Sequence, residues 1–246
     1  MKTRVFVLLR IRLANWSKWL KVHVFGFGKH ESVFISRSDF EKSKHDTLFI
    51  AAIQFGRIVN AIRSCERITL RIVDWGRITD TKDRIELLFV LSSYVYEGVK
   101  EFFRREQDLK HLKSWSSETS SIEQLRQERD GRGSQYWQVI HDIRNKVSFH
   151  FLKEVIENSI DNLPVKDEMD FAIGRTPLQR DIIYSLGDDI VLQYVFGRPW
   201  MTGSVEKRIE ALLNYLVTTS EELLRLMYGL IIEILQPIAD SKRKVI

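Results

Sequence analysis

Cysteine is almost missing from this chain: Cys65 stands alone among 246 residues, which excludes an intrachain disulfide and a thiolate zinc cluster within one copy. Proline is also scarce at four, and glycine at 12 is modest, so the sequence leans towards helix rather than towards a turn-rich β fold. No apolar run has the length of a membrane span. Leu223 to Leu235 is greasy but carries Arg225 and Glu233, and it falls short of the roughly 20 residues a bilayer requires. Val5 to Leu9 is interrupted by Arg10 and Arg12 before it reaches the length of a secretory apolar region. Strong catalytic signatures are absent as well: there is no Gly-x-Ser-x-Gly, no His-Glu-x-x-His, no Walker loop and no dinucleotide fingerprint, and Gly26-Phe27-Gly28-Lys29 has too little of a phosphate loop to count. The expectation is a soluble, cytoplasmic protein with no cofactor, no metal and no membrane partner.

What is there begins with an uneven charge. The net charge is +5, which at first sight suggests a nucleic-acid binder. Residues 1–37, however, hold eight basic residues and one acidic residue, so they carry +7 and the remaining 209 residues carry −2. The first forty residues differ in pattern too. Val5, Val7, Leu9, Ile11 and Leu13 alternate at period two, and Val22, Val24 and Val33 to Ile35 are short β-branched or aromatic runs. Residues 1–40 therefore read as a small basic extension with β-like stretches, or as an unstructured tail.

From Thr47 the period becomes helical. Leu48, Ala52, Phe55, Val59, Ile62 and Cys65 make one stripe, with Asp46 or Thr47 able to cap its start. Ile85, Leu88, Leu91, Val95, Val99 and Phe102 repeat the spacing from about Thr81, and the two helices suit an antiparallel hairpin. Residues 113–135 are polar and serine-rich, with the capping-box pattern Ser120-x-x-Glu123, and read as a linker holding a short helix. A third helix is predicted from Ser134 through Trp137, Ile140, Ile143, Val147, Phe151 and Val155 to about Asn158. Three of the four prolines fall in 161–204, an irregular insertion with short helices at best. The last helix carries Val205, Ile209, Leu212, Leu216, Leu223, Leu226 and Leu230 on one stripe. Four amphipathic helices bury their stripes most economically as an all-α, up-and-down four-helix bundle over residues 41–246.

The third helix also carries the densest polar insertion, His141-Asp142-Ile143-Arg144-Asn145-Lys146-Val147-Ser148-Phe149-His150. With ~100° and ~1.5 Å per residue, Arg144 and His150 stand roughly 120° apart and about 9 Å apart along a straight helix, too far for one chain to grip one phosphate easily. Arg144, the polar Asn145, four further residues and His150 resemble the signature of the HEPN superfamily, and the aromatic flank Phe149 and Phe151 resembles its abortive-infection and toxin members. The resemblance implies a helical bundle with the motif on a late core helix, and a metal-independent endoribonuclease with Arg144 and His150 as catalytic residues and Asn145 in support. It also implies a homodimer that joins two motifs in one composite cleft, RNA as substrate, and a setting in bacterial anti-phage defence or a toxin–antitoxin pair with an antitoxin or defence partner.

The chemistry fits those residue types. Cleavage by the 2′-hydroxyl needs a base, an acid and a cation at the phosphorane. Histidine titrates near neutrality, and arginine forks onto two phosphate oxygens. Lys146, His141, Arg57 and Arg63 are further candidates for RNA contact. Each has a plainer reading beside it. Arg144 and His150 also fit a half-buried polar pair held by backbone or an acidic neighbour, His141 a surface residue, Asp142 and Lys146 an i,i+4 pair, and Arg57, Asn60 and Arg63 a solvated helix face. Arg198-Pro199-Trp200 reads as a structural turn with a hydrophobic anchor. The competing functional reading is a non-catalytic helical module that binds RNA or protein, with a nucleotide-handling regulatory domain as a third.

Overall fold

The computed structural model describes residues 35, 37–74, 81–147, 171–172 and 183–238. Among them the chain is mostly helical, and the β-like stretches before residue 35 lie outside the described residues. A short helix α1 (Arg37–Ser43) precedes α2 (Thr47–Asp74), whose start is fixed by Asp46: its Oδ1 accepts from the Phe49 amide at 2.9 Å. The second long helix is α3 (Thr81–Arg104). Their predicted stripes are the buried ones, Ala52, Phe55, Val59, Ile62 and Cys65 facing Leu91, Val95, Val99 and Phe102. Phe55 stacks on Phe102 with ring centroids 6.0 Å apart, and Arg105 donates twice to the Gln54 side chain. The early part of α2 thus meets the end of α3, as an antiparallel hairpin requires.

Three short helices follow, α4 (Glu106–Leu109), α5 (Lys113–Ser117) and α6 (Thr119–Arg129). The stretch expected as a linker holding a short helix, 113–135, contains that helix as α6, and it is packed rather than free: Trp115, Ile122 and Leu125 are buried, as is Leu109 before it, and the Trp115 ring stacks on Phe102 at 5.0 Å. Nor does the capping box form, since Ser120 lies inside α6 and Glu123 pairs with Arg126. Helix α6 ends where Gly131, with φ +71°, takes the left-handed conformation that a Cβ would penalise. The amides of Gly131 and Arg132 reach back to the carbonyls of Glu128 and Gln127, closing a Schellman motif. Helix α7 (Gln135–Asp142) then begins under Ser134, whose hydroxyl accepts from the Tyr136 amide.

Phe171–Ala172 and Ile183–Tyr184 pair as a two-residue antiparallel ribbon. The irregular stretch contains a longer helix than expected, α8 (Ser185–Phe196), before the last helix α9 (Val205–Leu235). Leu212, Leu216, Leu223, Met227 and Leu230 of α9 are buried against α2 and α3. Among the described residues, Thr47–Glu66 within α2 is the stretch long and apolar enough to cross a membrane by length and composition, and Phe55, Val59 and Ile62 within it belong to the core just described.

The three long helices meet closely at Gly98. A Cβ there would lie 2.8 Å from Leu223 Cδ2 and 3.0 Å from Ile58 Cγ2, so the backbone of α3 approaches α9 and α2 only because no side chain intervenes. Gly98→Val is expected to overpack this junction and to cost about 1–3 kcal/mol, seen as a lower denaturant midpoint with an unchanged m-value.

Candidate functional site

Helix α7 buries Trp137, Val139 and Ile140 and sets Asp142 in the interior. A buried carboxylate must be satisfied, and Asp142 has two side-chain donors with a histidine ring nitrogen beside them. Arg198 Nη2 donates to Oδ2 at 2.6 Å, the Gln138 amide donates to Oδ1 at 3.1 Å, and His141 Nδ1 lies 3.3 Å from Oδ1. The structure thereby gives to Arg198, 56 residues away, the carboxylate that the spacing assigned to Lys146. Arg198 also lies over the Tyr194 ring at 5.0 Å, while its Nε is buried without an acceptor. Trp200, two residues on, packs edge-on against Tyr136 at 5.1 Å, and Tyr136 stacks on Tyr215. The Arg198-Pro199-Trp200 turn therefore straps α7 at both ends, by an aromatic contact at its start and an ion pair at its finish. Tyr215 donates to Glu128 at 2.6 Å, and burial, with that carboxylate beside it, holds the phenol well above its usual range.

Beyond Asp142 the regular helix stops. Ile143–Val147 is one turn of π-helix, in which each residue turns by less than it does in an α-helix. Ile143 and Val147 stay buried, and Arg144, Asn145 and Lys146 are half-buried between them. Arg144 Nε pairs with Glu97 on α3 at 2.8 Å. The adjacent residue of α3, Tyr96, takes the ring of His141 edge-on at 5.5 Å and packs on Trp137 at 5.4 Å. His141 and Arg144 thus each contact α3, at the consecutive residues Tyr96 and Glu97.

The remaining candidates are placed elsewhere. His150 and the expected continuation of this helix to Asn158 lie outside the described residues. Arg57 and Asn60 are exposed on α2, but Arg63 is not part of that face. Its guanidinium donates to Glu66 at 2.9 Å, and Glu66, 3% exposed, also accepts from Ser220 of α9. Burial pushes the Glu66 carboxyl up against the opposing pull of Arg63. Arg63 thus joins a buried network between helices.

Sequence reasoning missed Glu97 as the partner of Arg144, and it read Arg198 only as part of a turn. Neither leaves a local signal, since each partner is at least 47 residues distant. Among the described residues no group of three His, Cys, Asp or Glu side chains is placed to hold a metal ion. No family model, curated protein or solved structure matches this chain.

Proposed function

We propose that the chain is a metal-independent endoribonuclease of HEPN type, its four-helix up-and-down bundle made by α2, α3, the helix begun by α7, and α9. The observation that carries this reading is the π-helical turn over Ile143–Val147, which falls on Arg144 and Asn145. Such turns are rare, and they are frequently found at functional sites. In this reading Arg144 stabilises the charge on the phosphorane, His150 exchanges a proton with the leaving or attacking oxygen, and Asn145 orients one of them. A homodimer brings the motifs of two copies into one cleft, and the basic residues 1–37 supply affinity for RNA. The setting is bacterial anti-phage defence or a toxin–antitoxin pair.

The Arg144–Glu97 pair does not oppose this. Glu97 is 43% exposed, and a pair so open to water contributes at most about 1 kcal/mol, which a phosphate can displace. The same pair does, however, favour a second reading, a non-catalytic module in which Arg144 clamps α7 to α3. Incubating the protein with RNA in EDTA separates the two. The ribonuclease reading expects products with 2′,3′-cyclic phosphate ends, lost in His150→Ala. Products that need a divalent metal, or that persist unchanged in His150→Ala, would sink it. The module reading expects His150→Ala to lower the melting temperature and to change no RNA end.

A further inference from the structure

We propose that Arg198 is a positioning residue for Arg144; this rests on the ribonuclease reading. Acting through Asp142, Arg198 fixes the point from which the π turn starts, and with it the place of the Arg144 guanidinium. Asp142 closes α7, and the π turn begins at the next residue, Ile143. In a continued α-helix Val147 would stand roughly 40° round the axis from Ile143. The smaller rotation per residue in the π turn brings the two back towards one face, and both are buried. Asp142 is held inward by Arg198, Ile143 and Val147 are held by the core, and Arg144 is carried to the α3 side, where its Nε pairs with Glu97.

The loop that carries Arg198 is itself clasped. Arg208 of α9 donates to the Phe196 carbonyl at 2.7 Å and to the Gly203 carbonyl at 3.0 Å, which ties the connection between α8 and α9 at both ends. Met201 within it is buried, and its amide donates to the Arg198 carbonyl at 3.0 Å. From this loop the Arg198 guanidinium lies over the Tyr194 ring and donates to Asp142 Oδ2 at 2.6 Å. Stability alone does not account for the pair. The Asp142 side chain is 5% exposed, so desolvation offsets much of the attraction, and the buried Arg198 Nε, with no acceptor, adds a further cost. Apolar side chains of similar volume would hold α7 to the loop about as firmly. What the ion pair adds is direction, a fixed N–H···O line onto the residue that precedes the turn.

Single-turnover cleavage of saturating RNA by the full chain in EDTA tests this. Arg198→Lys keeps a charge beside Asp142, and so the fold, but loses the planar fork. It should cut about tenfold more slowly, and Arg198→Met about 10²-fold, the scale on which a misplacement of about 1 Å acts. In an Arg144→Ala background neither substitution should slow the reaction further, because the group being placed is gone. A merely structural role would slow both backgrounds alike. Without RNA, the NMR backbone shifts of Arg144 to Val147 should move in Arg198→Lys while those of α6 stay. If Arg198→Lys cuts at the wild-type rate, slows both backgrounds equally or leaves those shifts in place, the proposal falls while the ribonuclease reading stands. If wild type cuts no RNA in EDTA, the ribonuclease reading falls and this one with it.

Discussion

Arg144→Ala is expected to slow RNA cleavage by about 10²–10³-fold, the loss seen when one preorganised donor to a developing oxyanion is removed. The same substitution should hardly change stability. The Arg144–Glu97 pair is open to solvent on the Glu97 side and half-buried on the Arg144 side, and partly exposed pairs contribute about 0–1 kcal/mol, which in a protein of this size shifts the melting temperature by no more than about 4 °C. Arg144→Lys should recover only part of the rate, because lysine keeps the charge but loses the planar fork. Glu97→Gln should tighten RNA binding by removing the carboxylate that competes with phosphate. Single-turnover cleavage and thermal melting of the three variants decide the matter. If Arg144→Ala cuts like wild type and melts as low as Glu97→Gln, Arg144 is a clamp between two helices and its place in the motif is incidental.

The long helices were legible because their burial is periodic. Phe55, Val59 and Ile62, or Val95, Val99 and Phe102, repeat at three or four residues, and that spacing has no other economical use. The short helix expected within residues 113–135 is there as α6, but the packing of that stretch was not legible because its anchors are solitary. Trp115, Ile122 and Leu125 are separated by serine, threonine and glutamate and make no continuous stripe, yet each fills a gap left by the long helices. Composition told of a linker, and packing made it part of the core.

The site was legible in its residue types but not in its geometry. Nothing between Ile143 and Val147 marks the π turn, since no proline or glycine interrupts the run. The expected Asp142–Lys146 pair assumed that both side chains face outward on a continuous α-helix. Asp142 instead points into the core, and the regular helix ends on it. Once the carboxylate is inside, the local Gln138 amide reaches one oxygen, and the charged partner has to be brought by tertiary structure, which is why Arg198 and its turn matter to a motif more than fifty residues earlier.

Glu66→Ala is expected to be strongly destabilising, at about 3 kcal/mol, because removing one member of a buried ion pair strands the other. Arg63 is 11% exposed and Glu66 3%, so neither charge is well hydrated, and the carboxylate also joins α2 to α9 through Ser220. The expected fall in melting temperature is roughly 6–12 °C. Glu66→Gln, which keeps an acceptor for Arg63 and Ser220, should lose less. The pH dependence separates charge from shape. Burial raises the folded carboxyl above its unfolded value, outweighing Arg63 beside it. The folded state therefore holds this proton more tightly. Its stabilising effect is complete below the ordinary carboxylate range and is lost as pH rises through the raised folded value. Wild type should lose stability over that window relative to Glu66→Gln, whose side chain does not titrate. A wild-type curve that runs parallel to that of Glu66→Gln from acid to neutral pH would show that Glu66 is held by its hydrogen bonds alone.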